Sequence, residues 1–251
     1  MEMEPIYQKQ FKIEISDVDF NKELRLSTLF SLFQDVASEA VDKLGIGINT
    51  LANNYGVAWV LIKMRVEVLR YPTWEEKIII ETWPREIKTL EFERDFLVYD
   101  QNNNLIIKAS SIWIILDTNT RRIKRSNTLP ARYIQMTKKA LDNKFMKLRA
   151  FGDLHEAYKR MIGYSDIDFN GHLNNSKYID FITDCFPLQN HQDFYVKAIE
   201  VNFINEALPG ETLVLKKDVT NVNENTIYIE GETNIQTTFK AVVEIEKRRV
   251  V

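Results

Sequence analysis

The sequence predicts an α+β protein built from two similar halves, each a long helix packed on an antiparallel sheet. Three observations carry that expectation. The chain repeats itself: residues 16–35 read SDVDFNKELRLSTLFSLFQD and residues 165–184 read SDIDFNGHLNNSKYIDFITD, with eight identities in twenty positions at an ungapped offset of 149. Each copy runs into a stretch whose apolar residues fall at the 3-and-4 spacing of one helical face. Each helix is then followed by β-branched and aromatic stretches separated by turn-length gaps, which favours antiparallel pairing because parallel strands need long crossovers. A helix on such a sheet, twice over, is an α+β architecture.

The first copy begins at the end of a strand-like stretch. Its helix carries Leu26, Leu29, Phe30, Phe33, Ala37, Ala40, Val41 and Leu44 on one face, with Gly45 and Gly47 as stop signals. Strands are expected over 57–69, 77–83, 91–99 and 105–116, broken by Tyr71-Pro72 and by the polar cluster 100–104. Residues 126–152 read as a basic connection, dividing the chain into 1–125, a linker over 126–152, and 153–251. In the second copy Tyr178, Phe181, Ile182, Cys185 and Phe186 line the helix, and Pro187 ends it. Strands follow over 195–205, 212–220, 226–233 and 239–245, with turns at Pro209-Gly210 and 221–225. Cys185 lies on the apolar face and reads as a small core residue rather than a nucleophile.

Composition narrows the function. Apolar residues make up 45% and charged residues 27%, which excludes a disordered chain, a disulfide scaffold and a fibrous repeat. A single cysteine forms no internal disulfide and suits a reducing compartment. The first residues, MEMEPIYQKQ, lack the apolar core of a signal peptide, and no apolar run approaches the ~20 residues of a membrane span. The expected location is the cytoplasm, with no membrane partner. The eight glycines form neither G-x-G-x-x-G nor a P-loop. Net charge is −3, but Arg121 to Arg149 holds ten basic residues against Asp142, a local +9 that leaves −12 elsewhere. Such a segment reads either as a solvated linker or as a face that steers an acidic macromolecule. No interleaved aromatic pattern accompanies the charges, so nucleic acid is not the expected partner.

The densest polar constellation is Asp168-Phe169-Asn170-Gly171-His172-Leu173-Asn174-Asn175. Read as an extended segment, it turns Asp168, Asn170 and His172 to one side and Phe169 and Leu173 to the core. A helix starts immediately afterwards, with Asn174, Asn175 or Ser176 as candidate N-cap, and its free N–H groups suit an oxyanion. The repeat separates roles. Asp19/Asp168 and Asn21/Asn170 stand in both copies and read as structural in origin, whereas His172 faces Glu23, and Asn174 and Asn175 face Arg25 and Leu26. His172 is therefore the leading catalytic candidate. There is no G-x-S-x-G elbow, and the three histidines and one cysteine give no metal spacing, so no metal or other cofactor is expected.

At this point the chain resembles the acyl-acyl carrier protein (acyl-ACP) thioesterases of plants and bacteria. Arg70-Tyr71-Pro72-Thr73-Trp74 with Glu81-Thr82-Trp83, Ser111-x-Trp113 with Thr120-Arg121-Arg122, and Asp168-x-Asn170-x-His172-x-Asn174-Asn175 resemble that family's motifs along nearly the whole length. The resemblance implies a tandem hotdog fold, each hotdog a long helix wrapped by an antiparallel sheet, with an acyl-binding N-terminal half and a catalytic C-terminal half. Aligning Val201–Ala207 with the family places Glu206 on its catalytic glutamate and Ala207 where plant members carry a cysteine. Asp168, Asn170, His172 and Glu206 are then the catalytic set, and Asn174 and Asn175 contact substrate.

The resemblance also implies hydrolysis of a fatty acyl-ACP thioester, releasing free fatty acid, with Glu206 helped by His172 as general base on water. Leu29, Phe33 and Ala37 of the first helix line the acyl chain. Acidic acyl carrier protein becomes the partner for the basic segment through Arg121, Arg122, Lys124, Arg125, Lys138 and Lys139. An acyl-CoA thioesterase and a non-hydrolytic acyl-binding regulator are the rival readings, and a hotdog dehydratase fits the residues less well. The lack of a transit peptide favours a bacterial cytosolic form over a plastid precursor. Chain-length preference and pairing into a homodimer are left open.

Overall fold

The computed structural model describes residues 6–129, 135–142 and 145–248. The N-terminal copy runs β1 (Tyr7–Lys12), α1 (Leu26–Lys43), α2 (Ile48–Tyr55), β2 (Val57–Val68), β3 (Lys77–Ile87), β4 (Phe92–Asp100), β5 (Leu105–Asp117) and β6 (Ile123–Lys124). The C-terminal copy runs β7 (His155–Met161), α3 (Asn175–Asp184), α4 (Leu188–Asp193), β8 (Phe194–Phe203), β9 (Thr212–Asp218), β10 (Thr226–Glu232) and β11 (Thr237–Lys247). By contacts the chain forms two compact units, Met1–Leu24 with Leu32–Lys144 and Arg25–Ser31 with Phe145–Val251.

In the first unit the strands lie in the order β1-β3-β4-β5-β2, all antiparallel, with β6 paired to β5. The apolar stripe of α1 does what its spacing demands: Phe30, Phe33 and Val36 are fully buried. Each such side chain contributes about 1.5–3 kcal/mol. Phe33 meets Phe96 of β4 with ring centroids 4.7 Å apart, so Phe96 and the residues alternating with it face the helix. Val41 near the end of α1 joins Ile46, Leu51, Val57, Phe92, Ile115 and Leu129 in a second part of the core.

The second unit repeats the pattern with β8-β11-β10-β9-β7, again antiparallel. Tyr178 and Phe181 of α3 are buried on the sheet; Tyr178 packs edge-on against Phe203 and Phe239 at 5.7 and 5.4 Å.

Three local features differ from the sequence-based expectation. Helices α2 and α4 are too short, at 8 and 6 residues, to show a clear helical period, and α2 is framed by Gly47 and by Gly56 in a left-handed conformation (φ 60°). Strand β3 continues through Pro84 to Ile87, because the register shifts there and the proline need not donate to the ladder. The connection 126–152 is bonded along much of its described length. The Met136 N–H donates to the Pro84 carbonyl, and Arg85 donates to the carbonyls of Met136, Thr137 and Lys138 at 2.6–2.9 Å. Further on, Phe151 and Gly152 donate to the Asp218 carboxylate at 2.7 and 2.5 Å. Arg132 and Lys144 of the basic segment lie outside the described residues. No helix among the described residues is long and apolar enough to cross a membrane.

Candidate active site

The polar constellation of the second copy is a tight turn, not the extended segment expected from alternation. Asp168 N–H donates to the His172 carbonyl (2.8 Å) and Gly171 N–H to the Asp168 carbonyl (3.0 Å), with Gly171 at φ 83°. The Asp168 Oδ1 accepts from the backbone N–H of Asn170 (2.9 Å) and of His172 (3.2 Å), and Oδ2 from the Asn170 side chain (3.3 Å). The turn swings Phe169 outward to 78% exposure, correcting the expectation that it faces the core, while Leu173 stays buried. An aspartate that accepts backbone N–H groups two and four residues on favours such a turn over a strand.

The first copy builds the same turn. Asp19 N–H donates to Glu23 (2.8 Å), Lys22 N–H to Asp19 (3.0 Å), and Asp19 Oδ1 accepts from Asn21 and Glu23 at 2.8 and 3.1 Å. Lys22, at φ 61°, stands where Gly171 does. The residues common to both copies thus shape the backbone, as their recurrence implies.

Helix α3 starts at the end of the turn. Asn174 is the N-cap: its Oδ1 accepts from the Ser176 N–H (2.9 Å) and hydroxyl (3.0 Å). Lys177 N–H goes to the Asn174 carbonyl at 2.9 Å. Among the described residues the Asn175 N–H has no acceptor, as expected of a first-turn N–H at the positive end of a helix.

Glu206 comes from the loop after β8. The Leu173 N–H donates to the Ala207 carbonyl at 2.9 Å, and the His172 Nε2 then lies 3.2 Å from the Glu206 Oε2. The His172 side chain is 24% and the Glu206 side chain 40% exposed, so the pair is open to a reactant. Ile204 and Asn205 donate to the Thr238 carbonyl, and the Glu206 carbonyl accepts from Gln236 Nε2 at 3.2 Å, which holds the loop to β11. In the first copy Leu24 N–H donates to the Pro72 carbonyl at 2.9 Å, so Tyr71 stands where Glu206 does and Glu23 where His172 does. The front copy keeps the scaffold without the imidazole–carboxylate pair.

Tyr178 is a neighbour that the sequence reading placed only in the core. Its hydroxyl lies near the Ala207 backbone and the Thr238 side chain, and burial, with the charge of Glu206 adding to it, pushes its pKa well up. The signal was available: at the repeat offset Tyr178 corresponds to Leu29, a polar gain confined to the copy that holds His172. Cys185 is 3% exposed and burial pushes its thiol up to about 12, as suits a core position. Among the described residues no group of three or more His, Cys, Asp or Glu is arranged to hold a metal ion.

Residues 4–128 match the acyl-ACP thioesterase N-terminal domain and residues 153–246 the C-terminal domain of the same family. The chain belongs to the acyl-ACP thioesterase family. It is 28% identical to an acyl-ACP thioesterase from Bacteroides thetaiotaomicron whose crystal structure superposes with a TM-score of 0.88, covering 96% of this chain and 98% of that one. It is 24% identical to the chloroplastic oleoyl-acyl carrier protein thioesterase of Coriandrum sativum over 80% of this chain and 59% of that protein. To the chloroplastic palmitoyl-acyl carrier protein thioesterase of Arabidopsis thaliana it is 24% identical over 92% of this chain and 59% of the relative. The chain therefore spans under two thirds of the length of these plant relatives. The match fits the hotdog architecture expected from the family motifs.

Against that family background the remaining expected residues fall as follows. Leu29, Phe33 and Ala37 are buried on α1 at 1%, 0% and 4% exposure. Of the basic set, Arg121, Arg122, Arg125, Lys138 and Lys139 are exposed. Lys124 pairs with Asp117 at 3.0 Å, and Lys138 sits 3.6 Å from Glu81 and over the Trp83 ring.

Proposed function

We propose that the protein hydrolyses the thioester of a fatty acyl chain carried on acyl carrier protein, releasing the free fatty acid. The observation that carries this reading is the His172–Glu206 contact at 3.2 Å, with His172 just before the start of α3, on a chain of the acyl-ACP thioesterase family. The reaction needs a base for water, donors for the carbonyl oxygen, and a leaving thiolate that requires little help.

In this reading Glu206 takes a proton from water as its oxygen attacks the thioester carbon, with His172 Nε2–H holding and orienting the carboxylate. The Asn175 N–H and the Asn170 side-chain amide, steadied by Asp168, stabilise the negative carbonyl oxygen. Collapse of the tetrahedral intermediate breaks the C–S bond. The carrier's phosphopantetheine leaves as thiolate and receives the proton from Glu206 through solvent. Leu29, Phe33 and Ala37 of α1 line the acyl chain, and Asn174 and Asn175 contact the substrate. The exposed cations Arg121, Arg122, Arg125 and Lys139 steer acidic carrier protein, whereas Lys124 and Lys138 are partly spent on internal carboxylates. The protein works in the cytoplasm, although its coriander and Arabidopsis relatives are named chloroplastic.

The test is release of free thiol and fatty acid from a panel of acyl-ACP conjugates of different chain length, beside the matching acyl-CoA. Hydrolysis of the carrier conjugates with higher kcat/KM than the CoA esters is expected. Binding without turnover would instead identify an acyl-binding regulator.

A further inference from the structure

Strand pairing sets one residue apart in each copy, beside the loop that follows the copy's first long strand. In the second copy Gly231 of β10 stands opposite Phe239 of β11 and Glu232 opposite Thr237, so Thr238 is left out of the ladder as a β-bulge. In the first copy Val98 pairs with Ile107 and Tyr99 with Leu105, which leaves out Ile106 at the same place. The two bulges do the same work for the backbone. The Thr238 carbonyl accepts from the N–H groups of Ile204 and Asn205 at 2.8 and 3.1 Å, as the Ile106 carbonyl accepts from Leu69 and Arg70 at 2.9 and 3.2 Å. Thr238 thus anchors the two residues that lead into Glu206, and Ile106 the two that lead into Tyr71.

The side chains differ. Ile106 is buried and apolar, whereas Thr238 is fully buried and its hydroxyl donates to the Gly231 carbonyl at 3.1 Å. Two neighbouring positions change with it. Tyr178 replaces Leu29 at the repeat offset, and Gly231 stands where Val98 does, at a point where a Cβ would collide with the Phe239 ring. Phe239 in turn packs on Tyr178 at 5.4 Å, and the Tyr178 hydroxyl lies near both the Thr238 side chain and the Ala207 backbone. Leu29, Val98 and Ile106 of the first copy have therefore become tyrosine, glycine and threonine in the copy that holds His172 and Glu206. A buried hydroxyl is unfavourable without a partner, so two gained side by side point to a bond between them.

We propose that Thr238 is a positioning residue, whose hydroxyl fixes the direction of the Tyr178 hydroxyl beside Glu206. This rests on the reading of Glu206 as the base for water. A threonine hydroxyl has one proton, and the Gly231 carbonyl takes it, so towards Tyr178 the Thr238 oxygen only accepts. The Tyr178 proton is then directed to Thr238, which turns the phenol oxygen to the Ala207 N–H and steadies that peptide. The same proton is withheld from the Glu206 carboxylate, which keeps its basicity for water.

The experiment compares Thr238→Val, Thr238→Ser and Tyr178→Phe with wild type in kcat and KM on acyl-ACP, with Tm and amide hydrogen exchange at Ala207. The first variant keeps the β-branched shape and the second keeps the hydroxyl. Thr238→Val is expected to lower kcat about fivefold at unchanged KM and to speed exchange at Ala207, while Thr238→Ser keeps both near the wild-type values. The double variant Thr238→Val/Tyr178→Phe is no slower than the slower single one, because the two hydroxyls act as a unit. Wild-type kcat in folded Thr238→Val overturns the proposal. So do losses that multiply in the double variant, or a Thr238→Ser enzyme as slow as Thr238→Val. In wild type the Tyr178 hydroxyl proton exchanges slowly and shows a nuclear Overhauser contact with Thr238. A hydroxyl that exchanges freely with water overturns the proposal even where Thr238→Val does not fold. If wild type hydrolyses no thioester, the hydrolase reading fails instead, and exchange at Ala207 decides on Thr238. Faster exchange in Thr238→Val but not in Thr238→Ser sustains the positioning role, and equal exchange in all three proteins overturns it.

Discussion

The backbone N–H of Leu173 donates to the carbonyl of Ala207 at 2.9 Å, and this bond seats His172 against Glu206. Each functional side chain belongs to the residue just before one partner of that bond. The pair is thus positioned by main chain, and its geometry survives changes in either side chain.

Removing one member should therefore disable chemistry without unfolding the protein. His172→Ala and Glu206→Gln are each expected to lower kcat on acyl-ACP by on the order of 10²-fold or more, with melting temperature little changed. A folded Glu206→Gln enzyme with near-wild-type turnover would remove Glu206 from the mechanism.

Tyr178→Phe deletes one hydroxyl and keeps the ring that packs on Phe203 and Phe239. The hydroxyl lies near the Ala207 backbone, next to Glu206, so its loss loosens the surroundings of that carboxylate. About a tenfold fall in kcat with KM unchanged is expected, alongside about 1 kcal/mol of stability. Steady-state kinetics with a thermal melt separates this positioning role from simple packing, which would move stability and leave kcat alone.

The repeated turns make a paired prediction. Asp19→Ala and Asp168→Ala each strip two backbone N–H groups of their acceptor, so both should lose about 1–3 kcal/mol by denaturant unfolding. Only Asp168→Ala should also slow turnover, since Asn170 leans on it. Equal effects on turnover would contradict the division between a scaffold copy and a chemical copy.

Charge reversal at Arg122, Arg125 and Lys139 tests carrier docking. KM for acyl-ACP should rise several-fold at low salt and converge with wild type as salt screens the field, while a small thioester analogue is unaffected. A matching loss on both substrates would assign these residues to the fold.

Cys185→Ala is expected to keep full turnover, and the native thiol to resist alkylation at pH 8, because burial pushes its pKa up to about 12 and keeps it protonated. Inactivation by a thiol reagent with wild-type Cys185 in place, relieved in the alanine variant, would show the opposite.

Much of this was legible before any coordinates. The duplication gave two copies of one unit, and α1 and the long strands followed from apolar period. Comparing the copies position by position picked out His172, and Asn174 was among the N-caps foreseen at α3. The extended reading of 168–172 failed because alternation of polar and apolar residues looks the same in a strand and in an aspartate-anchored turn, and only the hydrogen bonds that the Asp168 carboxylate accepts distinguish them.

Sequence alone determined the local terms: which faces are apolar, where turns fall, where charge gathers, and which copy holds the imidazole. Tertiary structure decided which distant groups meet. Glu206 reaches His172 from 34 positions away because a loop after β8 docks on the start of α3. Arg94 and Asp95 stand on opposite faces of β4 because adjacent strand residues alternate, and Asp95 meets Arg85. Periodicity encodes the direction of a side chain, whereas strand pairing and loop docking choose what stands opposite it.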